Sequence, residues 1–531
     1  MKKQSVLSII FLLVVCAIAT SCSKTQLTDR ERKELRGDVK EVLTISFDIR
    51  VPLSKNPNAD YTIPNLHLAQ SGSNLLRFDR EGRLASQREY LLKPDGFRYE
   101  SYTAQGLRRL TLREGENGDI VWKTQFDEYG FPIEDMVDTN SSADNLFLFY
   151  LTFGFSSLLD GPPEYHGGKM SVTTDSEGRV LTADNGLHRH NYTYDAAGRV
   201  ATKRTDEYSY GKWRIMESLA YTYDAAGLLR QKDGTEQGDS IRVICEYDAD
   251  SRLIAEEKYK IKADTAEFYS RNSYTYEGNG TAPAIEENFY GDISYKYFNN
   301  YYIAPNGDTI LTVQRTATDK LFSIETQSFE KGARYRRILF FKADMNAEEH
   351  QRDSKGRDIA YLNEKDSTVV SISYDAEGNA QLHRDSIYSI YGQLNVSQNL
   401  DRFGRTVSYQ AWKTQDNSLF YTIETGYEGE GNRNYVAHSH YDIAAYQNTY
   451  DEINRVEDGH LMQNLFIQNG DTITTDYLYN SQNDDSVHVK DGKIDTVYDY
   501  EYDNHGNWTR RNTYDAEGHY IQVDFRFIQY Y

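Results

Sequence analysis

The chain has 531 residues, with 59 lysines and arginines against 81 aspartates and glutamates, so its formal net charge is −22 at pH 7. This acidic balance argues against a nucleic-acid-binding protein, because a surface of this kind repels phosphate backbones. The chain has only 3 cysteines, which excludes a small fold held together by disulfides.

The first 21 residues predict an export signal. Lys2 and Lys3 precede a short apolar run and the small or polar residues 19–21, and Cys22 follows directly. This junction resembles the cleavage site of bacterial lipoproteins, which implies that Cys22 becomes the lipidated first residue; the alternative is an ordinary secretory signal in which Cys22 has no role. We therefore expect residues 22–45 to serve as anchor, tether and lead-in, and expect the protein at the bacterial cell envelope, held on the outer membrane by lipid.

A six-residue motif, aromatic–Asp–x–x–Gly–x with arginine or asparagine usually in the last place, recurs along the chain. We call it the turn motif. Its clearest copies contain the pairs Asp79 and Gly82, Asp195 and Gly198, Asp224 and Gly227, Asp375 and Gly378, Asp503 and Gly506, and Asp515 and Gly518. Weaker copies align on Asp127, Asp175, Asp248, Asp401 and Asp451. Near-regular repetition indicates one structural unit copied about fifteen times, with one degenerate copy hidden between residues 127 and 175 and another between 451 and 503.

Between copies of the motif, aromatic and polar residues alternate. Tyr498, Tyr500 and Tyr502 would share one face of a strand. A second type of turn, such as Gly470-Asp471-Thr472, lies midway between motifs, so each repeat is predicted to be a β-hairpin.

The motif itself has the chemistry of a turn. An aspartate side chain can accept hydrogen bonds from backbone amides two or three residues later, and glycine supplies the positive φ that ends the bend. We expect the aromatic residue to pack on the equivalent aromatic residue of the next repeat. Calcium binding is the alternative use of the aspartates, but the spacing of known calcium loops is absent.

The motif and its strand context, over residues 75–520, resemble the YD repeats of the Rhs family of bacterial proteins. Residues 35–42, which begin Leu35-Arg36-Gly37-Asp38, are similar to the lead-in of repeat lipoproteins from the Bacteroidetes. The resemblance implies an all-β fold for residues 46–531, in which tandem hairpins form a long antiparallel sheet that coils into a superhelix or open cylinder. The Asp-Pro-x-Gly core signature and the C-terminal toxin domain of the toxin branch are missing, so toxin delivery is not expected.

One apolar segment, at about residues 140–170, interrupts the repeats. Phe149, Phe153 and Tyr165 lie in it. It would be either a buried plug against the sheet or the wall of a ligand groove.

No catalytic motif or cofactor fingerprint is found, and we expect no cofactor and no metal site. The pairs His188/His190 and His438/His440 would each place two imidazoles on one strand face, which a metal could use, but isolated surface histidines explain them as well. Cys245 is interpreted as a small strand residue. A pair of catalytic carboxylates could assemble in space, but the sequence does not select one.

The sequence therefore predicts a non-enzymatic, lipid-anchored binding scaffold whose partners are the membrane and a glycan or protein ligand at the cell envelope. Exposed faces among its 44 tyrosines could stack on sugars for adhesion or ligand capture, although stacking between repeats explains most of these tyrosines without a ligand. The alternatives are an enzyme that acts on polysaccharides and an Rhs-like shell that encloses a partner polypeptide.

Overall fold

The computed structural model of the chain describes residues 28–48, 67–68, 73–114, 120–137, 169–262, 265–276, 282–290, 293–303, 309–330, 333–352, 358–363, 368–375, 379–389, 392–444 and 448–531. The predicted signal, Cys22 and nearly all of the apolar segment lie outside these residues.

The described residues form an all-β protein, as predicted. The single short helix among them, α1 (Asp29–Arg32), begins with a capping box in which Thr28 and Glu31 bond each other's backbone amides. No helix in this part of the chain is long and apolar enough to cross a lipid bilayer.

The strands follow one another in hairpins. In chain order they are β1 (Val39–Asp48), β2 (His67–Leu68), β3 (Asn74–Phe78), β4 (Leu84–Tyr102), β5 (Arg108–Glu114), β6 (Ile120–Phe126), β7 (Pro132–Val137), β8 (Ser171–Thr174), β9 (Val180–Asp184), β10 (His188–Tyr194), β11 (Val200–Ser209), β12 (Lys212–Tyr223), β13 (Leu229–Glu236), β14 (Asp239–Tyr247), β15 (Leu253–Lys262), β16 (Thr265–Thr275), β17 (Ile285–Tyr290), β18 (Ile293–Ile303), β19 (Thr309–Thr316), β20 (Leu321–Glu330), β21 (Ala333–Arg352), β22 (Asp358–Asn363), β23 (Thr368–Tyr374), β24 (Ala380–Ser389), β25 (Gly392–Leu400), β26 (Thr406–Lys413), β27 (Leu419–Glu428), β28 (Tyr435–Ile443), β29 (Asn448–Glu457), β30 (His460–Gln468), β31 (Asp471–Tyr479), β32 (Asp485–Lys490), β33 (Lys493–Tyr502), β34 (Trp508–Asp515) and β35 (Tyr520–Tyr530).

The chain folds into two compact units, each built from separate stretches of sequence. Unit 1 consists of the described residues within 1–50, 68–91 and 345–531, and unit 2 consists of those within 51–67 and 92–344. The long strands β4 and β21 contribute to both units.

Unit 1 contains a continuous antiparallel ladder from β22 to β35. The N-terminal strand β1 lies between β35 and β3, and Val42 is opposite both Ile528 and Leu76. The first strand of the chain therefore covers an edge of the last one, which would otherwise present unpaired backbone groups.

Unit 2 contains a second antiparallel ladder, from β8 to β20, again with neighbours in chain order. These ladders are the predicted sequential hairpins. A closed barrel or superhelix is not found in the part of the chain that the structure describes.

Some of the buried apolar residues that the structure describes form small clusters. In unit 1, Leu35 packs with Val39, Val42, Leu76 and Phe78. In unit 2, Leu219, Ile241, Val243 and Cys245 form another such cluster. The Cys245 thiol is buried, and this burial raises its pKa. The thiol is therefore held in its protonated form, as expected of a packing residue.

Candidate functional site

Several residues singled out from the sequence lie outside the described residues. They are Cys22, the groove residues Phe149, Phe153 and Tyr165, and the motif glycine Gly378. The proposed groove and the lipidation site therefore stay predictions.

The turn motif forms a five-residue bend held by its aspartate. The Asp195 amide donates to the Arg199 carbonyl at 2.8 Å, and the Gly198 amide donates back to the Asp195 carbonyl at 3.0 Å. The Asp195 carboxylate accepts bonds from the amides of Ala197 and Arg199, both at 2.9 Å. Gly198 has a φ of +77°, which favours glycine. The carboxylate thus binds amides two and four residues later, not two or three.

The carboxylate bond to the amide four residues later recurs at Asp79, Asp224, Asp375, Asp503 and Asp515. The bond to the amide two residues later recurs at Asp224, Asp503 and Asp515. The amide of Arg199 and then its guanidinium hold the pKa of Asp195 below its usual value. The carboxylates therefore act as turn caps that need their negative charge.

The motif arginine links one hairpin to the next. Arg199 pairs with Asp195 at 2.7 Å, and its guanidinium lies 4.5 Å from the ring centre of Tyr223 in the following motif. The Tyr223 hydroxyl donates to the Val200 carbonyl at 3.0 Å. The same arginine-over-tyrosine contact recurs at Arg179 over Tyr194, Arg252 over Tyr276 and Arg405 over Tyr427.

This contact corrects the expected packing of one motif aromatic residue on the next. Successive motifs are two strands apart, about 10 Å, which is too far for two tyrosine rings to touch. The long arginine side chain bridges this gap.

Structural copies of the turn exist where the sequence is degenerate. Residues 480–484 form the same bend, with Asn483 in place of glycine at a φ of +58°. This turn fills the double interval between residues 451 and 503, as expected. The alignment on Asp451 was wrong, because Asp451 lies within β29 and the turn follows at Asp458 and Gly459. The sequence after Asp451 has no glycine to end a bend at that point.

Among the described residues, the strongest candidate for a binding site is a cavity of about 500 Å³ in unit 1, on one face of strands β25 to β30. Its lining residues are Gln398, Thr406, Tyr409, Ile423, Thr425, Tyr427, Tyr435, Ala437, Ser439, Tyr441, Asn454, Val456, Gly459 and Leu461. Strand register explains the set, because Ile423 is opposite Tyr441, Thr425 is opposite Ser439 and Tyr427 is opposite Ala437. We call this the tyrosine cavity.

The tyrosine rings of the cavity are held in place by their neighbours. Tyr427 meets Tyr435 edge-to-face, with ring centres 5.6 Å apart. Tyr441 stacks on Tyr450 at 4.4 Å. Rings fixed in this way present a preformed surface, which lowers the entropy lost on binding.

The polar groups of the cavity are mostly neutral. The Tyr427 hydroxyl donates to the Thr406 carbonyl at 2.8 Å, and the hydroxyls of Thr425 and Ser439 are 2.9 Å apart. Burial raises the pKa of Tyr427 to about 12, so its phenol stays protonated at neutral pH. Among the described lining residues there is no aspartate or glutamate. The cavity therefore offers ring faces, hydroxyls and amides without a charged group.

Arg405 is a cation that lies beside two tyrosines of the cavity. Its guanidinium is 4.2 Å from the ring centre of Tyr427 and 5.5 Å from that of Tyr435. It pairs with Asp401 at 2.7 Å and donates to the Gly429 carbonyl at 3.1 Å. The positive charge of Arg405 is therefore paired with a carboxylate within its own turn motif.

A second cavity, of about 460 Å³, lies in unit 2 on strands β15 to β17. Its lining residues are Glu257, Phe268, Arg271, Ser273, Glu287 and Phe289. Arg271 pairs with Glu257 at 2.6 Å, and Lys296 pairs with Glu287. It has two phenylalanines and paired charges where the tyrosine cavity has four tyrosines, so it is the weaker candidate.

The predicted histidine pairs do not form shared sites. His438 lies 3.4 Å from Glu428, whereas His440 lies 2.7 Å from Asp451. His190 contacts Thr205 at 3.1 Å and stacks on Phe131. Each of these histidines has its own strand-surface partner.

A buried carboxylate in unit 2, Glu100, has structural partners. It accepts bonds from Arg98 and Tyr102, both at 2.6 Å, and from Arg336 at 3.2 Å. Burial alone would raise the pKa of Glu100, but the charge of Arg98 and the bond from Tyr102 hold it below its usual value. The Glu100 carboxylate is therefore ionised and paired with neighbouring side chains of the sheet, and it does not act as a proton donor.

One trio of potential metal ligands occurs in the described residues. Atoms of Asp515, Glu517 and His519 lie within 4.8 Å of one another. Glu517 and His519 are exposed, and the Asp515 carboxylate already accepts the amides of both. The turn itself explains this arrangement.

Sequence reasoning placed the ligand groove in the apolar segment and missed the tyrosine cavity. The four tyrosines of the cavity, Tyr409, Tyr427, Tyr435 and Tyr441, occupy one face of neighbouring strands. These tyrosines resemble those of every other repeat, so the sequence offered no reason to select them.

No protein-family model matches the chain, and no curated protein matches it. Among solved structures, a porin-like protein from Bacteroides uniformis is similar to 56% of this chain and 95% of its own length, with 9% sequence identity and a TM-score of 0.16. A TM-score this low carries no conclusion about function.

Proposed function

We propose that this protein is a lipid-anchored binding protein of the bacterial cell envelope that captures glycan chains in the tyrosine cavity. The export signal and Cys22 support the anchor. The observation that carries glycan binding is the lining of the cavity by four tyrosines together with uncharged hydroxyl and amide groups.

This chemistry suits a sugar better than a peptide or a nucleotide. The C–H face of a pyranose ring packs on an aromatic face, and its hydroxyls both donate and accept hydrogen bonds. A cavity of about 500 Å³ is within the range that holds a small ligand. A protein partner would need a broader contact area of about 800 Å² per partner.

The cavity supports binding over catalysis. Hydrolysis of a glycosidic bond normally needs two carboxyl groups about 5–9.5 Å apart. The described lining of the cavity supplies none. Polysaccharide hydrolysis and enclosure of a partner polypeptide therefore stay the alternative predictions.

The test uses residues 23–531 on a glycan array, followed by titration of the best glycan. We expect Tyr435→Ala to weaken binding about 5- to 10-fold, which corresponds to loss of one aromatic stacking contact of about 1–1.4 kcal/mol. Tyr435→Phe keeps the ring and is expected to retain most of the affinity.

Tyr221→Ala is the matched control, because Tyr221 is a half-buried strand tyrosine of unit 2 that lies outside the cavity. Circular dichroism of each variant checks the fold. Absence of binding to every glycan, or equal affinities of Tyr435→Ala and the unsubstituted protein, would refute the proposal. If the protein captured an envelope protein and no glycan, the glycan-binding proposal would be wrong and a protein ligand would take its place.

A further inference from the structure

The segment that follows the predicted anchor is docked on one edge of unit 1. This segment, residues 28–38, is called the lead-in. It contacts the turns at residues 79–83, 480–484 and 503–507, which together are called the proximal edge. Each of these turns joins two antiparallel strands at the edge where β1 begins and β35 ends, since Val39 is opposite Tyr530.

Backbone contacts hold the beginning of the lead-in. The Arg30 amide donates to the Gly82 carbonyl at 2.9 Å, and the Leu84 amide donates to the Asp29 carboxylate at 2.8 Å. Thr28 lies against Gly82 as well, because a Cβ at Gly82 would stand 3.2 Å from the Thr28 hydroxyl. The lead-in is thus fixed from its first described residue.

A second set of contacts holds its end. The Arg36 amide donates to the Asn507 side-chain oxygen at 2.7 Å, and the Asn507 amide group donates back to the Arg36 carbonyl at 2.8 Å. The Arg36 guanidinium also donates to the carbonyls of Gly506 and Gln482. Leu35 is 5% exposed and belongs to the unit 1 core.

Docking of the lead-in shortens the tether between anchor and sheet. If residues 23–38 were free, they would span up to about 55 Å and the sheet could turn in any direction. With Thr28 fixed, only six peptide steps separate it from Cys22, which reach at most about 20 Å. The opposite edge of the ladder, which contains the turn at residues 515–519, is called the distal edge. It is farther away, because the eight residues of β34 alone span about 27 Å.

We propose that the proximal edge of unit 1 faces the lipid headgroups and that the opposite edge points away from the membrane. This inference rests on the lipidation of Cys22 within the proposed function. The charge of the lead-in is compatible with such a position: residues 28–38 contain four cations and four anions, so the segment is neutral in a chain of net charge −22. It is therefore repelled less by anionic lipid than the rest of the surface.

Two turns of the same type provide a matched pair of label positions. Asn504 and Ala516 are both exposed and occupy the same place in successive turn motifs. Because the two turns lie at opposite ends of β34, Asn504 is at the proximal edge and Ala516 is at the distal edge.

The experiment uses the full lipidated chain with Cys245→Ser as background, reconstituted into vesicles of phosphatidylcholine with an acceptor dye on the headgroup. A donor dye is attached through Asn504→Cys or Ala516→Cys, and energy transfer to the membrane is measured. We expect the transfer efficiency to be at least twofold higher from position 504. Asn507→Ala combined with Arg36→Ala is expected to reduce this difference while vesicle binding persists.

The outcomes separate the two proposals. Vesicle binding with equal transfer from both positions, or with higher transfer from position 516, overturns the orientation and leaves the anchor intact. If the full chain does not bind vesicles, which is the result expected of the Cys22→Ser control, the anchor and the orientation that depends on it are both overturned.

Discussion

Replacement of Asn507 by alanine is expected to destabilise unit 1 far more than the same change at Asn379. Both asparagines end a copy of the turn motif. Asn379 bonds within its own turn, donating to Asp375 at 2.7 Å. Asn507 instead donates to the Arg36 carbonyl and the Tyr530 hydroxyl, both at 2.8 Å, and accepts from the Arg36 amide at 2.7 Å.

The expected magnitudes follow from these contacts. The Asn507 residue is 1% exposed, and the substitution removes three part-buried hydrogen bonds and leaves the Arg36 amide without that partner. At about 1 kcal/mol per bond, the free energy of unfolding should fall by about 3 kcal/mol. At Asn379 one exposed bond is lost, at a cost of about 0.5 kcal/mol.

Urea unfolding followed by tryptophan fluorescence is a suitable assay, because Trp508 is adjacent to Asn507 and 3% exposed. Two units can unfold in two steps, so the transition that Trp508 reports is the one to compare. Equal destabilisation by the two substitutions would show that the lead-in adds nothing to the stability of unit 1. The reasoning from its docking contacts would then be wrong.

Two further predictions concern the turn motif. A double-mutant cycle of Arg199→Ala and Tyr223→Ala should give a coupling energy of about 0.5–1 kcal/mol between the guanidinium and the ring. Alanine at position 223 should remove this interaction, whereas Tyr223→Phe, tested in the same cycle, should keep it because the ring remains. A coupling energy near zero in the alanine cycle would mean that the stacking is incidental. Several motif aspartates, Asp195 among them, have a pKa below the usual value of 3.8. The contribution of these aspartates to the free energy of unfolding is complete above their pKa in the unfolded chain and is lost as the pH falls through their lower pKa in the folded protein. The urea midpoint should therefore drop between pH 5 and pH 3. An unchanged midpoint would contradict the capping role.

The repeat unit could be predicted from the sequence because its determinants are local. The aspartate and the glycine of a turn motif act within five residues, and alternation of tyrosine with polar residues fixes the faces of a strand. Even the degenerate turn at residues 480–484 was expected from the spacing, because a hairpin ladder tolerates a missing glycine when asparagine takes its positive φ.

The sequence could predict the type of residue that forms the candidate site, but not where in the fold the site lies. Tyrosines were expected as stacking surfaces, but the cavity requires Tyr409, Tyr427, Tyr435 and Tyr441 to share one face across three strands. Register between strands decides this arrangement, and register depends on turn lengths and bulges that single residues set. One such bulge lies between Ala411 and Trp412.

The amino-acid sequence by itself determined the hairpin, its turn chemistry and the acidic, tyrosine-rich surface. Tertiary structure alone decided that the chain forms two units, that β1 inserts between β3 and β35, and that the lead-in docks on the proximal edge. The physical reason is the range of the interactions. Every repeat carries nearly the same local signals, so the sequence cannot distinguish which hairpins meet; contacts between residues more than 400 positions apart, such as Arg36 with Asn507, make that choice.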